Sequence, residues 1–181
     1  VADFPSTLKI TLPEVYLGDS DKQDRINNIN KTMKEYLSNN IFSSPVENMI
    51  YIERTTGYGR MRKGLVTAID LETYDWKPFS PALIRATEAT ILDRIPPRME
   101  IRRDAPIELP HIMLLVNDSE KSLVEKTGEL AKKNNSLYDT DLMMDSGHIT
   151  GWQVEKTELE NVLSSLEQIA KKQTQKDGSV F

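Results

Sequence analysis

Cysteine is absent from the 181 residues. That removes disulfides, thiol nucleophiles and thiolate metal ligands together, and it suits a cytoplasmic protein. Imidazole is nearly as scarce. With only His111 and His148, a site rich in histidine ligands is excluded, and any metal would be a hard ion such as Mg²⁺ held by carboxylates and phosphate oxygens. Long apolar runs are missing too. The longest, Ile112 to Val116, is far too short to span a membrane, so no membrane partner is expected. Bulk positive charge is also lacking. A net charge of −5 and a pI near 5.2 argue against a nucleic-acid partner bound through overall charge, which leaves room only for a local basic patch.

What is present is ordinary for a globular chain, at 38% apolar and 28% charged residues, so global disorder is not expected. No signal peptide opens the sequence, which starts at Val1, and the tail "KKQTQKDGSVF" breaks off inside a new apolar element. The chain therefore reads as residues 1–181 of a single domain or as the central portion of a larger protein. It has no internal linker, repeat or low-complexity segment.

The order of elements follows from periodicity. The segment through Gly18, with Pro5 and Pro13, reads as extended chain or an edge strand. Ile26, Ile29, Met33 and Leu37 recur at helical spacing behind Asp19, Ser20 and Asp21, which predicts a capped helix from Lys22 to Leu37. "MIYIERTT" and "GLVTAIDL" read as strands around the turn "GYGRMRK", forming an antiparallel hairpin. "LIRATEATILDRIPPR", residues 83–98, looks like a helix stopped by prolines. "HIMLLVND" fits a buried central strand. Ser119 can cap a helix over "EKSLVEKTGELAKKNN". "LYDTDLMMD" and "HITGWQVE" are strand-like around Ser146-Gly147, and Thr157-x-x-Glu160 opens a last amphipathic helix. Alternating helices and strands with at least one hairpin predict an α+β (or α/β) fold, a mixed β-sheet with flanking helices.

The candidate chemistry is local. Eight of nine arginines lie between Arg54 and Arg103, and beyond Arg103 lysine replaces arginine entirely. Arginine's planar fork grips phosphate or carboxylate at two points, whereas lysine is a flexible point charge. The skew therefore suggests an anion site, with surface ion pairs to interleaved carboxylates as the simpler account. On a helical wheel of about 100° per residue, Glu88 falls among Ile84, Ile91, Leu92 and Ile95. A carboxylate on an apolar face needs a partner, for which Arg85 is nearest, or a task as general base or metal ligand.

Other constellations are weaker. "TTGYGRMRKG", with Gly57, Gly59 and Gly64, is not a phosphate-binding glycine loop and reads as a hairpin turn. Asp145-Ser-Gly-His148 gathers a carboxylate, a hydroxyl and an imidazole, but without a nucleophile-elbow pattern. His111 opens an apolar run and reads as a structural edge residue.

At "RKGLVTAIDLETYDW", "LIRATEATILDRIPPRMEIRRDAPIELPHIMLLVND" and "LYDTDLMMDSGHITGW" the chain resembles the bacterial and archaeal family catalogued as domain of unknown function 1015. Many members carry His-Glu-x-Thr followed by Asp-Arg. Glu88, Thr90, Asp93 and Arg94 match that signature, whereas Thr87 stands where many relatives have histidine. The resemblance implies further portions on both sides of this chain and an affinity with the ParB/sulfiredoxin-like superfamily, which includes nucleotide-using enzymes. It also implies a link to serine metabolism.

Together these readings point to a small anionic metabolite as partner and to an enzyme of phosphorylated compounds, either a phosphotransferase or a phosphatase, with phosphoserine chemistry as the guess. Glu88 would be the catalytic base or Mg²⁺ ligand. Arg85, Thr87, Thr90, Asp93, Arg94 and Arg98 would bind substrate or phosphate, and a nucleotide and Mg²⁺ are the cofactors in view. The alternative is a non-catalytic ligand-binding or regulatory module of the same fold.

Overall fold

A computed structural model describes residues 4–77, 82, 84, 85 and 91–176, with side chains through 172. The chain forms two compact units, each built from two separate stretches of sequence. One comprises Val1–Pro45 with Thr90–Leu114, the other Val46–Ala89 with Leu115–Phe181. The fold is α+β, with an antiparallel four-stranded sheet and a separate parallel pair of short strands.

In the first unit, the helix predicted from Lys22 forms as α1, Lys22–Ser38. Its apolar positions Ile26, Ile29 and Met33 are buried with Ile10 and Leu12 in one cluster, flanked by Ile101, Ile107 and Leu109. Asp21 occupies the N-cap but makes no capping hydrogen bond; its carboxylate instead accepts from Arg25 Nε at 3.0 Å. The opening segment is not a strand. It folds into two 3-10 turns, Thr7–Ile10 and Glu14–Tyr16, the first capped by Ser6 Oγ accepting from the Leu8 amide. Pro5 and Pro13 precede these turns and initiate them, a role as natural to proline as an edge strand.

The stretch 83–98 departs furthest from expectation. Ile84–Arg85 is a short strand, β4, pairing in parallel with β3, Tyr74–Asp75. Leu92–Arg94 is a 3-10 turn, and a helix α2 runs Ile95–Arg102. Pro96 and Pro97 thus begin a helix instead of ending one. In the first turn a proline's missing N–H costs nothing and its fixed φ is already helical. Ile84 and Arg85, at the head of the predicted helix, are extended, and residues 86–90 with Glu88 lie outside the described residues.

In the second unit, β1, Ile50–Thr56, and β2, Met61–Val66, form the predicted hairpin. The turn is tighter than the sequence suggests, closed by Gly59 N donating to Thr56 O at 2.8 Å, with Gly59 at φ +74° where glycine is favoured. A helix α3, Val124–Ala131, follows. Its approach is fixed by Asp118, whose carboxylate accepts from Leu123 N at 2.7 Å and Ser122 Oγ at 2.9 Å, so Asp118 does the work expected of Ser119. A second hairpin, β5 (Ser136–Leu142) and β6 (Gly147–Gln153), precedes α4, Lys156–Lys176. At the start of α4 the Glu158 carboxylate accepts from the Glu155 amide at 3.1 Å, a capping contact two residues ahead of the predicted Thr157–Glu160 box. The strand order is β2-β1-β6-β5, so β1 and β6 join two local hairpins into one sheet.

"HIMLLVND" is not a strand. Residues 111–116 are exposed, Ile112 at 86% and Met113 at 80%, and no described strand pairs with them. An apolar run becomes a central strand only where backbone partners stand on both sides, and the two hairpins already satisfy each other. No helix among the described residues is long and apolar enough to cross a membrane.

Strand alternation gives the sheet two distinct faces. On the first, Leu65, Tyr51 and Trp152 form a cross-strand row over which α3 and α4 pack through Leu123, Ala131 and Val162. Tyr51 is 1% exposed, and its ring lies directly against Gly128 of α3. A Cβ at Gly128 would fall inside the ring's van der Waals contact. Gly128→Ala should therefore destabilise the protein. Overpacking costs about 1–3 kcal/mol against a helix-propensity gain of about 1 kcal/mol, so the melting temperature should fall by a few degrees. Thermal unfolding followed by circular dichroism checks this, and an unchanged or raised midpoint would contradict the packing described.

Candidate anion-binding site

The residues singled out from sequence are distributed over both units. Arg85 is in β4, half-buried, with Nε donating to Ala82 O at 2.7 Å. Thr87, Glu88 and Thr90 lie outside the described residues. Asp93 and Arg94 sit on the exposed 3-10 turn ahead of α2, and Arg98 lies one turn further along. Arg98 donates to Glu14 at 3.2 Å, and Arg102 pairs with Glu108 at 3.3 Å. Both pairs are about half exposed or more, so each contributes about 0–1 kcal/mol. The arginine-rich stretch is thus two groups, one on the α2 segment and one on the β1–β2 hairpin with Arg85.

The hairpin group is arranged differently. On the second face of the sheet, Arg54 of β1 stands directly opposite Arg62 of β2, with Ile149 of β6 on its other side. Both arginines are exposed, and neither meets a carboxylate among the described residues. Like charges directly across a ladder repel. Two cross-strand arginines with no carboxylate partner among the described residues form a place where an external anion would relieve that repulsion.

The first face carries the acid–base groups. Glu53, next along β1 from Tyr51 on this face, accepts from Tyr51 OH at 2.7 Å and from Lys132 Nζ of α3 at 2.8 Å. Burial alone would raise the Glu53 pKa, but these two hydrogen bonds outweigh it and hold the carboxyl below its ordinary value. Burial, then the bond to Glu53, pushes the Tyr51 phenol well above its ordinary range. One row further, His148 lies between two carboxylates of β5, with Nδ1 at 2.7 Å from Asp141 Oδ1 and Nε2 against Asp139 Oδ1. Thr150 Oγ1 also donates to Asp139 at 3.1 Å.

The sequence had grouped His148 with Asp145. The fold pairs it instead with Asp139 and Asp141, which an alternating D-x-D on a strand places on one face. Both imidazole nitrogens can donate to carboxylates only in the imidazolium form. The bonds to Asp141 and then Asp139 accordingly raise the His148 pKa, and His148 in turn lowers that of Asp139. Among the described residues, no three His, Asp or Glu side chains gather as a metal site. A cleft between α3 and α4 is lined mainly by neutral side chains, including Ser122, Thr127, Asn161 and Gln168, with Lys126 its one charge.

A family model described as "Protein of unknown function (DUF1015)" matches residues 1–173, and the chain belongs to that family. No curated protein and no solved structure matches it.

The His148 cluster makes a definite pH prediction. A histidine whose folded pKa is raised contributes stability that is fully present below the unfolded value near 6.5 and is lost as pH rises through the folded pKa. Proton NMR should therefore find His148 titrating above 6.5. The difference in stability between wild type and His148→Gln should shrink on raising the pH through that midpoint. A midpoint at or below the ordinary value would refute the paired imidazolium.

Proposed function

We propose that this protein binds a small phosphorylated metabolite and acts on its phosphate, by phosphoryl transfer or hydrolysis, with phosphoserine-related chemistry the first to test. The observation that supports it best is the opposed Arg54–Arg62 pair, two potential bidentate donors with no carboxylate partner among the described residues. Phosphate chemistry relies chiefly on positioning and charge neutralisation, which arginines supply directly. In the same reading Glu88 is the catalytic base or Mg²⁺ ligand, because Glu88, Thr90, Asp93 and Arg94 match the family signature in sequence.

Calorimetric titration with phosphoserine and with inorganic phosphate, each with and without Mg²⁺, tests the binding step. A bound ligand at 100 times its Kd adds about 2.7 kcal/mol, which also appears as a rise in melting temperature. Arg54→Ala and Arg62→Ala should each weaken binding by about ten- to a hundred-fold, the worth of a hydrogen bond to a charged group. Glu88→Gln should bind normally and lose turnover. Arginine variants that bind as tightly as wild type would remove the proposed site, and Glu88→Gln with full turnover would remove its catalytic part.

A further inference from the structure

Gly64 lies in the middle of β2, not in the hairpin turn. Its backbone is ordinary for a strand, unlike Gly59 and Gly147, whose φ values are positive. Space does not require glycine there either. A Cβ at Gly64 would meet, among the described residues, only Ile52 Cγ1 at 3.7 Å and Cδ1 at 3.9 Å, ordinary contact distances. A glycine inside a strand costs about 0.5–1 kcal/mol relative to alanine, and where neither conformation nor packing demands it, it marks close approach by something else.

The neighbours of Gly64 indicate what approaches. Its cross-strand partner is Ile52, whose partner on the other side is Gly151, and the ring of Tyr138 lies over Gly151. Of the row Gly64–Ile52–Gly151, Gly151 is buried beneath the Tyr138 ring, so the open apolar floor is Gly64 and Ile52, bounded on the Gly151 side by that partly exposed ring. Arg62 and Arg54 form the next row on the same face. Successive same-face residues along a strand are about 7 Å apart, roughly the span of one ribose.

Resting on the anion site proposed above, we propose that its ligand is a nucleotide. The phosphates lie on Arg54 and Arg62, and the base lies flat on Ile52 over the space left by Gly64, beside Tyr138. A planar base fits a floor without side-chain relief, and burying its apolar face against Ile52 tolerates any base because no base-specific hydrogen bond is made. A small aliphatic phosphoester would leave that floor unused.

AMP and ribose 5-phosphate share the phosphate and the sugar and differ in the base, so calorimetry of the full chain with each isolates the base. Wild type should bind AMP at least about ten-fold more tightly. Gly64→Val should abolish that preference and leave ribose 5-phosphate binding unchanged. Gly64→Ala should reduce the preference in a protein at least as stable as wild type, which covers the case in which the valine variant does not fold. Equal affinity of wild type for the two ligands overturns the base site and leaves the anion site standing. So does a preference that survives Gly64→Ala and Gly64→Val intact. Absence of binding by AMP, ribose 5-phosphate and phosphoserine alike overturns both.

Discussion

Tyr51 is the side chain on which the second unit depends. It lies near the start of β1, a strand paired on one side with β2 and on the other with β6, and it is 1% exposed. Its ring packs near Trp152, with centroids 5.9 Å apart, and under Gly128, so the sheet and α3 meet at one residue. Burying such a ring is favourable only if the hydroxyl finds a partner. Glu53 provides it, and Lys132 from α3 balances the Glu53 charge. The apolar core and the polar edge of the sheet are therefore one continuous arrangement, in which the glycine that admits the helix also brings its lysine to the carboxylate.

That dependence divides the sheet by function. The face that packs α3 and α4 is committed to stability near Tyr51 and becomes acid–base in character toward His148. The other face carries Ile52 and the two arginines, with glycine where a side chain would have stood. One face is covered by helices and the other carries two exposed arginines, two sets of residues that strand alternation keeps apart.

Much of this was legible in the sequence because it is local. The three- and four-residue spacing of Ile26, Ile29 and Met33, and the paired β-rich segments on either side of Gly59 and Gly147, each describe an element that forms within its own stretch. What was not legible depended on partners. Pro96 and Pro97 carry the same signal at a helix start as after a helix end, and only the extended pairing of Ile84–Arg85 decides between them. The run at 112–116 looked central because it is apolar, but apolarity does not supply neighbouring strands. For the site, the arginine skew was countable, whereas its division between two units was not. Gly64 was hidden by its company, since beside Gly57 and Gly59 it reads as one more turn residue until the register places it opposite Ile52. His148 was similarly assigned to its sequence neighbour Asp145, because the cross-strand partners Asp139 and Asp141 are visible only once β5 and β6 are aligned.

The seam between β1 and β6 also shapes how the chain reaches this state. Each hairpin closes a short loop and forms on its own, but a two-stranded hairpin in water is marginally stable. The seam that makes them secure pairs Ile50 with Gln153, across most of the unit's sequence. Contacts so distant in sequence form late and slowly, because the entropy of the intervening chain is lost before the ladder compensates. During that interval β1 and β6 each present an unpaired edge able to join the same edge of another molecule. The yield of native protein on refolding is thus set by a race between one long loop closure and encounters between chains, and it falls as protein concentration rises.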